Sequence, residues 1–365
     1  MSYKFKTLFI ASGGTGGHIF PAYGLAKHFI QYGVNVYLTS DKRGLKFLKE
    51  FDSVKKIEIA SSSIYSKNFI KSLASLFVIF YSILKSVYFV FRKKPNLVFG
   101  MGGYSSFPVC IAAKLLNIPI VIYENNLYMG KTNKYLAFFA KKILVPYKEL
   151  EGVPHKYQNK ICEIGNIVRK EILDFEINKK NEINGILTIL VLGGSQAAKV
   201  FAEKLPKIFQ NCKEKGINLK IFQQCLASQN QDLSDFYQKA EIECEIFNFS
   251  NDLSKYFLNT DLVITRAGSS MLAELINVKL PFISIPLPSS ADNHQLKNAI
   301  YYEKKGYSYL IEEKFLNEKL FDLINKINQD KSLLDQIIVK QKEYSDKSVY
   351  ENILNEINKI FYEKY

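Results

Sequence analysis

Short apolar runs alternate along the chain with longer stretches whose apolar residues recur at helical spacing. Thr7 to Ala11 reads as a buried strand, and His18 to Tyr32 as a helix stopped by Gly33. Val34 to Thr39 is a second strand, followed by a short helix near Leu45 and a strand around Ile57. Asn96 to Phe99 and Ile120 to Tyr123 are further strands of the first half. Strands separated by helices in this way predict a parallel, doubly wound sheet, which takes ligands at the carboxyl ends of its strands. The alternation pauses near Gly165-Asn166-Ile167-Val168-Arg169, and a polar stretch from Asn178 to Asn184 follows. It restarts with strands at Ile186 to Leu192, Leu262 to Thr265 and Phe282 to Ile285, and Ser348 to Lys364 reads as a terminal helix. The expectation is an α/β chain of two facing Rossmann-like domains with parallel sheets, residues 1–168 and 169–345. A helix over 346–365 is expected to pack back on the first.

One stretch departs from this pattern. From Leu73 to Phe91 there is a single charge, Lys85, and the run is long and apolar enough to span a bilayer. Yet Lys71, Ser75, Ser82, Lys85, Ser86 and Lys93 fall along one helical face. That polar stripe predicts an amphipathic helix lying against a sheet or a bilayer surface. The groups offered to lipid would be Phe77, Ile79, Phe80, Phe89 and Phe91, with Lys67, Lys71, Lys85, Arg92, Lys93 and Lys94 meeting anionic headgroups. A helix buried wholly in its own domain fits the same pattern.

Composition narrows the classes. A chain of 365 residues, 47% apolar and 23% charged, has room for two ordinary globular cores. The net charge of +14 is carried almost entirely by lysine, in a chain also rich in Asn and Ile. It therefore reads as codon bias, and no nucleic-acid partner is expected. The only arginines are Arg43, Arg92, Arg169 and Arg266, so each marks a place where fork geometry matters. Cys110, Cys162, Cys212, Cys225 and Cys244 are scattered without a C-x-x-C pair, which predicts free thiols in a reducing compartment and no structural zinc site. The first strand opens almost at once, so no signal peptide is expected.

Glycine gathers where the strands end. Gly13-Gly14-Thr15-Gly16-Gly17-His18 follows the first strand, Gly100-Met101-Gly102-Gly103-Tyr104-Ser105-Ser106 a later one, and Gly193-Gly194-Ser195 opens the second half. Glycine turns the backbone at positive φ and leaves no Cβ against a ligand. A helix N-terminus beyond it offers unpaired N–H groups to phosphate. Three readings of the first loop compete. A tight turn needs fewer glycines. A dinucleotide fingerprint wants a third glycine where Ile19 stands, and has only Asp41 in its favour. A nucleotide-sugar site would set His18 toward the reacting group.

Seven motifs in order, GGTGGHIFPA, GGYSSFP, ENN, GNIVR, LGGSQAA, RAGSSMLAE and ADNHQLKNA, resemble those of the MurG family. These are the peptidoglycan N-acetylglucosaminyltransferases that convert lipid I to lipid II. The resemblance implies a GT-B fold with an interdomain cleft, UDP-N-acetylglucosamine (UDP-GlcNAc) as donor and no cofactor. It implies inverting transfer to the muramyl 4-hydroxyl of undecaprenyl-pyrophosphoryl-MurNAc-pentapeptide. The place would be the cytoplasmic face of the bacterial inner membrane, peripherally bound to an anionic membrane surface, with other cell-wall synthesis proteins as further partners.

Carried over by motif, Thr15, Gly16 and Gly17 would line the cleft beside the donor, and Asn126 would contact the sugar. Arg169 and Ser195 would bind the diphosphate region, and Ser250 would sit by the uracil. Ser269, Ser270, Met271, Leu272, Ala273 and Glu274 would hold diphosphate and ribose, with Glu274 accepting from ribose hydroxyls. Gln295 would reach the sugar hydroxyls, and Gly102, Gly103, Tyr104 and Ser105 would form the acceptor loop. Four positions depart from the family pattern: Asn125 for Gln, Ile167 for Pro, Ala197 for Gly, and His294 for a frequent Gln. Ala197 matters most, since glycine there serves close approach of the backbone.

The chemistry can also be argued without the family. Donor cleavage develops positive charge at the anomeric carbon and negative charge on the departing UDP. The chain holds no D-x-D pair, so no metal is expected; helix N-termini, loop amides and Arg169 would meet the diphosphate. His18 is the candidate general base, because a helix N-terminus disfavours an imidazolium; a structural cap or ligand hydrogen bond fits it too. Glu274 also fits a first-turn carboxylate facing the helix dipole, and Arg266 a structural salt bridge. A related transferase with another lipid or small-molecule acceptor, or a nucleotide-binding protein without transfer, would share the donor half.

Overall fold

The computed structural model describes residues 5–48, 53–62, 69–175, 185–248, 250 and 252–362. Lys67 and the polar stretch 178–184 lie outside these, as do the side chains of Lys71, Ser195 and Ala197. The chain forms two compact units, Met1–Lys170 with Asp346–Tyr365, and Glu171–Ser345.

The first unit begins with β1 (Thr7–Ala11), α1 (Gly16–Gln31), β2 (Asn35–Ser40), α2 (Lys42–Phe47), β3 (Lys55–Glu58) and α3 (Phe69–Lys93). It continues with β4 (Leu97–Gly100), α4 (Ser106–Leu115), β5 (Ile120–Tyr123), α5 (Lys131–Leu136), β6 (Lys142–Val145) and β7 (Ile161–Glu163). These strands form one parallel sheet, in the order β3-β2-β1-β4-β5-β6-β7. The central strands β4 and β5 are buried along their whole length, which is why they read as unbroken apolar runs rather than alternating ones.

A short α6 (Lys170–Leu173) leads into the second unit, with β8 (Leu187–Leu192), α7 (Gly194–Glu214), β9 (Leu219–Gln224), α8 (Asn230–Lys239) and β10 (Glu243–Phe247). Then come α9 (Ser254–Phe257), β11 (Leu262–Thr265), α10 (Ser269–Val278), β12 (Phe282–Ser284), α11 (His294–Lys304), β13 (Tyr309–Leu310), α12 (Leu316–Gln329) and α13 (Ser332–Lys342). The sheet is again parallel, ordered β10-β9-β8-β11-β12-β13. The chain then returns to the first unit as α14 (Val349–Tyr362). There the Tyr350 ring stacks on His28 of α1 at 4.3 Å, and its hydroxyl donates to Val168 O at 2.8 Å.

Helix α3 is amphipathic in the opposite sense to a surface helix. Its serines face inward: Ser75, Ser82 and Ser86 are buried. Ser82 Oγ donates to Ala60 O at 2.9 Å, Ser86 Oγ to Ser82 O at 2.7 Å, and Ser62 Oγ to Ser75 Oγ at 2.8 Å. Small hydroxyls that find backbone acceptors allow close packing without unpaired polar groups. The large side chains are left outside, with Phe77, Phe80 and Phe91 exposed by 69%, 61% and 65%. Two of the groups expected to meet lipid are placed otherwise. Ile79 is half-buried, and Phe89 packs on the core beneath α3, α4 and α5.

Candidate functional site

In each sheet the strand order reverses once, between β1 and β4 and between β8 and β11. A doubly wound sheet opens its ligand crevice at that point, beyond the carboxyl ends of the two strands. The three glycine loops of the sequence leave β1, β4 and β8, and Gly268 stands in the loop after β11.

In the first unit the loops after β1 and β4 lie backbone to backbone. Gly13 N–H donates to Gly102 O at 2.8 Å. A Cβ on Gly13 would stand 2.6 Å from Gly103 Cα, and one on Gly103 (φ +76°) only 2.4 Å from Gly13 Cα. Neither position admits a side chain. Ser12 O accepts from Ser40 Oγ at 2.9 Å and from Ser105 Oγ at 2.7 Å. Ser105 is therefore buried and builds the loop, while Tyr104 is 42% exposed at its tip.

Asp41 lies directly beneath Gly14, where a Cβ would meet its Oδ1 at 2.0 Å. It caps α2 through Arg43 N (3.1 Å) and Gly44 N (3.0 Å), and also accepts from Ser61 Oγ (2.7 Å). Burial raises its pKa, but the bonds from Gly44, Ser61 and Arg43 outweigh this and hold it below the ordinary carboxylate value. The residue that favoured a dinucleotide reading is thus part of the loop's own scaffold.

His18 occupies the first turn of α1, and Gly102 (φ +82°) faces its ring; a Cβ there would lie 3.1 Å from His18 Cε1. Asn125 Nδ2 donates to Gly17 O at 2.7 Å, which brings the loop after β5 to the same place. Behind it, buried Glu124 accepts from Asn126 N and Nδ2 (both 3.1 Å), Gly130 N (2.9 Å) and Asn133 Nδ2 (3.0 Å). Arg169 sits over the Phe20 ring of α1 at 5.9 Å. Thr15 is exposed, and Gly16, Gly17 and His18 are partly so. The first unit therefore gathers His18, Gly17, Gly102, Asn125 and Asn126 at its switch point.

In the second unit Gly194 (φ +62°) follows β8, and its N–H donates to Gln224 Oε1 at 3.1 Å. Beyond β11, Gly268 is the N-cap of α10; it has no side chain of its own to cap that end, and among the described residues a Cβ on it would meet nothing within 4 Å. A glycine at this position leaves room beside the first-turn N–H groups of α10, the kind of group an anion seeks. Ser269, Leu272, Ala273 and Glu274 are buried in this helix, while Ser270 and Met271 are half-buried. Leu272 and Ala273 belong to the packing and have only backbone to offer a ligand.

Arg266 uses its fork inside the protein. It donates to Ile285 O (3.2 Å), Pro286 O (3.3 Å) and Glu313 Oε2 (2.6 Å), with its guanidinium 4.6 Å over the Phe201 ring. Burial lowers its pKa and Glu313 opposes that shift. Gln295 Oε1 accepts from Leu287 N at 3.0 Å, and His294 Nδ1 lies 2.7 Å from Ala291 O. Asp292 and Asn293 just before them are both left-handed. Ser250 Oγ donates to Asp252 O within its own turn.

Sequence reasoning did not single out Glu124, Asn133, Asn298 or Glu313. Asn298 Nδ2 donates to Ala267 O at 3.2 Å and ties α11 to the loop before α10. It lies within the ADNHQLKNA motif, and Glu124 opens the ENN motif. Nothing in the local sequence marks Asn133 or Glu313.

A doubly wound unit built twice, with glycine loops at both switch points, defines a nucleotide-binding α/β protein with two ligand crevices. Residues 8–145 match the model of the glycosyltransferase family 28 N-terminal domain, and residues 188–353 that of its C-terminal domain. The chain is 36% identical, over 97% of both chains, to the UDP-N-acetylglucosamine--N-acetylmuramyl-(pentapeptide) pyrophosphoryl-undecaprenol N-acetylglucosamine transferase of Pelagibacter ubique. It is 36% identical, over 100% of both, to the Francisella tularensis subsp. holarctica protein of the same name. The crystal structure of Acinetobacter baumannii MurG superposes with a TM-score of 0.76 at 25% identity, covering 97% of this chain and 99% of that one. The chain belongs to glycosyltransferase family 28 and, within it, to the MurG family.

Proposed function

We propose that the protein transfers N-acetylglucosamine from UDP-GlcNAc to the 4-hydroxyl of MurNAc in undecaprenyl-pyrophosphoryl-MurNAc-pentapeptide. One structural observation carries this reading for a member of the family. Each unit has its own switch-point crevice, and a transferase with two substrates needs two. His18 accepts the acceptor hydroxyl's proton as that oxygen attacks the anomeric carbon. The bond from that carbon to the diphosphate breaks on the opposite face, inverting the centre, and UDP leaves with the electron pair.

The seat of His18 in the first turn of α1, against Gly102, supports this role. Gly102, Gly103 and Tyr104 receive the acceptor's pyrophosphate, in a loop that Ser105 holds. The N-terminal end of α10 and Arg169 meet the charge on the departing diphosphate, and Glu274 accepts from ribose. Thr15, Asn126 and Gln295 lie toward the sugar, and Ser250 toward the uracil. With no D-x-D pair in the sequence, these groups do the work a bound metal does in other transferases.

The same reading places the protein peripherally on the cytoplasmic membrane face, α3 toward the lipid. Its exposed Phe77, Phe80 and Phe91 enter the headgroup boundary while Lys94 meets anionic lipid. The deciding measurement is transfer of labelled N-acetylglucosamine to a lipid I analogue, with and without EDTA. Transfer in both conditions is expected. Transfer only to other acceptors, or full loss with EDTA restored by magnesium, overturns the respective part. On vesicles, Phe80→Ser with Lys94→Glu should weaken binding while donor affinity is preserved.

A further inference from the structure

The outer layer of the first unit holds a cavity whose chemistry the transfer reaction does not use. It measures about 470 Å³ and opens between α5 and the 3-10 turn His155–Lys160. Lys131, Lys134, Tyr135, Phe138, Lys156 and Tyr157 line it.

Its walls are aromatic and its rim is cationic. Tyr157 is buried at the base, with the Phe138 ring edge-on at 6.5 Å. Lys156 Nζ stands 5.0 Å from the Tyr157 ring and 6.0 Å from the Phe138 ring. Tyr135 and Phe138 are each 61% exposed at the mouth. The cavity is also braced. Lys160 Nζ donates to Ala137 O (2.9 Å), Phe138 O (3.2 Å) and Ala140 O (2.8 Å), fixing the turn that carries Phe138. From residue 131 to 160 the chain has seven lysines against two acids, Glu149 and Glu151.

Ammonium groups over aromatic rings suit an anion joined to an apolar body: the anion pairs with the lysines and the body covers the rings. Inorganic phosphate would meet only half of that chemistry. The surroundings indicate what the body is. Helices α3, α4 and α5 and the 3-10 turn share one core on one side of the sheet. Their outer faces carry Phe77, Phe80, Phe91, Leu115, Tyr135 and Phe138, all exposed.

We propose that this cavity binds the phosphate headgroup of an anionic membrane lipid, with the aromatic wall against its glycerol and upper acyl chain. The proposal rests on the reading of α3 as the membrane-facing helix and adds a headgroup site to it.

The test titrates the full-length protein calorimetrically with dihexanoyl phosphatidylglycerol below its micelle concentration, with dihexanoyl phosphatidylcholine and inorganic phosphate as controls. Saturable one-to-one binding of the phosphatidylglycerol alone is expected. It should weaken roughly 30-fold in Lys134→Gln/Lys156→Gln, from two basic contacts, and that variant should keep wild-type turnover on a water-soluble acceptor analogue. Binding unchanged in the lysine variant overturns the site, and inorganic phosphate binding as tightly as the lipid overturns the lipid assignment. Flotation of Phe77→Ser/Phe80→Ser on phosphatidylglycerol vesicles tests the membrane reading separately. That variant should lose vesicle binding yet keep the short-chain lipid, whereas loss of both would show the cavity is no independent site.

Discussion

Asp346 accepts two hydrogen bonds from Asn166, from its backbone N–H at 2.7 Å and from its side-chain amide at 3.1 Å. The pair joins the point where the chain leaves the first unit to the point where it returns. Gly165 at φ +92° makes this possible, since a Cβ there would lie 2.6 Å from Asp346 Oδ1. Both residues are buried. Asp346→Ala removes the acceptor of the buried Asn166 N–H, while the Asn166 amide keeps the Tyr147 hydroxyl at 3.0 Å, and should destabilise the first unit by about 2 kcal/mol. Asp346→Asn, which keeps one acceptor, should cost less. Urea unfolding followed by circular dichroism checks the order; equal midpoints for all three proteins would show that the pair contributes nothing.

With His18 as the proposed general base, its contact with Gly102 would couple the second glycine loop to turnover. Gly102→Ala puts a methyl 3.1 Å from the His18 ring, at a backbone φ that L residues rarely adopt. It should lower the turnover rate while leaving donor affinity near wild type. His18→Ala should lower turnover about 100- to 10,000-fold, as expected for loss of a general base. Steady-state kinetics at saturating lipid I analogue separates these effects. Near-full turnover in His18→Ala would remove it from the chemistry.

Gly268 gives a cleaner probe of the proposed donor site. Its φ of −71° is ordinary and a Cβ there meets nothing, so Gly268→Leu should fold and lose only the about 1 kcal/mol that an apolar N-cap costs. With a diphosphate seated on α10, the same change should raise the donor KM at least about tenfold, which is about 1.4 kcal/mol. Glu274→Ala should weaken the donor by about 10- to 100-fold through a lost ribose contact. An unchanged donor KM in Gly268→Leu would place the diphosphate elsewhere.

His28 supplies a pH dependence. Burial, with Lys170 nearby, lowers its pKa from 6.5 to about 4. Below pH 6.5 the unfolded chain therefore binds a proton that the folded chain refuses, and stability from this group is lost as pH falls toward about 4. His28→Phe keeps the ring beside Tyr350 but cannot be protonated. Its melting temperature should gain on wild type progressively between pH 6.5 and 4. A constant difference across that window would show that His28 does not titrate as described.

Much of this protein was legible in its sequence, for a physical reason. A strand buried on both faces must be apolar throughout, and a loop that turns sharply beside another backbone must be glycine. The runs at Leu97–Gly100 and Ile120–Tyr123 and the loops at Gly13 and Gly102 therefore announced themselves, and the seven motifs carried the family. What tertiary structure decided were the partners of polar groups, which local sequence does not encode. Periodicity put Ser75, Ser82 and Ser86 on one face of α3, but only packing against Ala60 and Ser62 turned that face inward. Four arginines could be counted, yet only the fold gave Arg266 the carbonyls of Ile285 and Pro286 and the carboxylate of Glu313. Ser105 stands in the second glycine loop, and only the strand order brings Ser12 O within 2.7 Å of its Oγ. Glu124 became a hub because Asn126, Gly130 and Asn133 turn their N–H groups back on it. Burial makes such partners obligatory, and only the fold determines which side chain meets the demand.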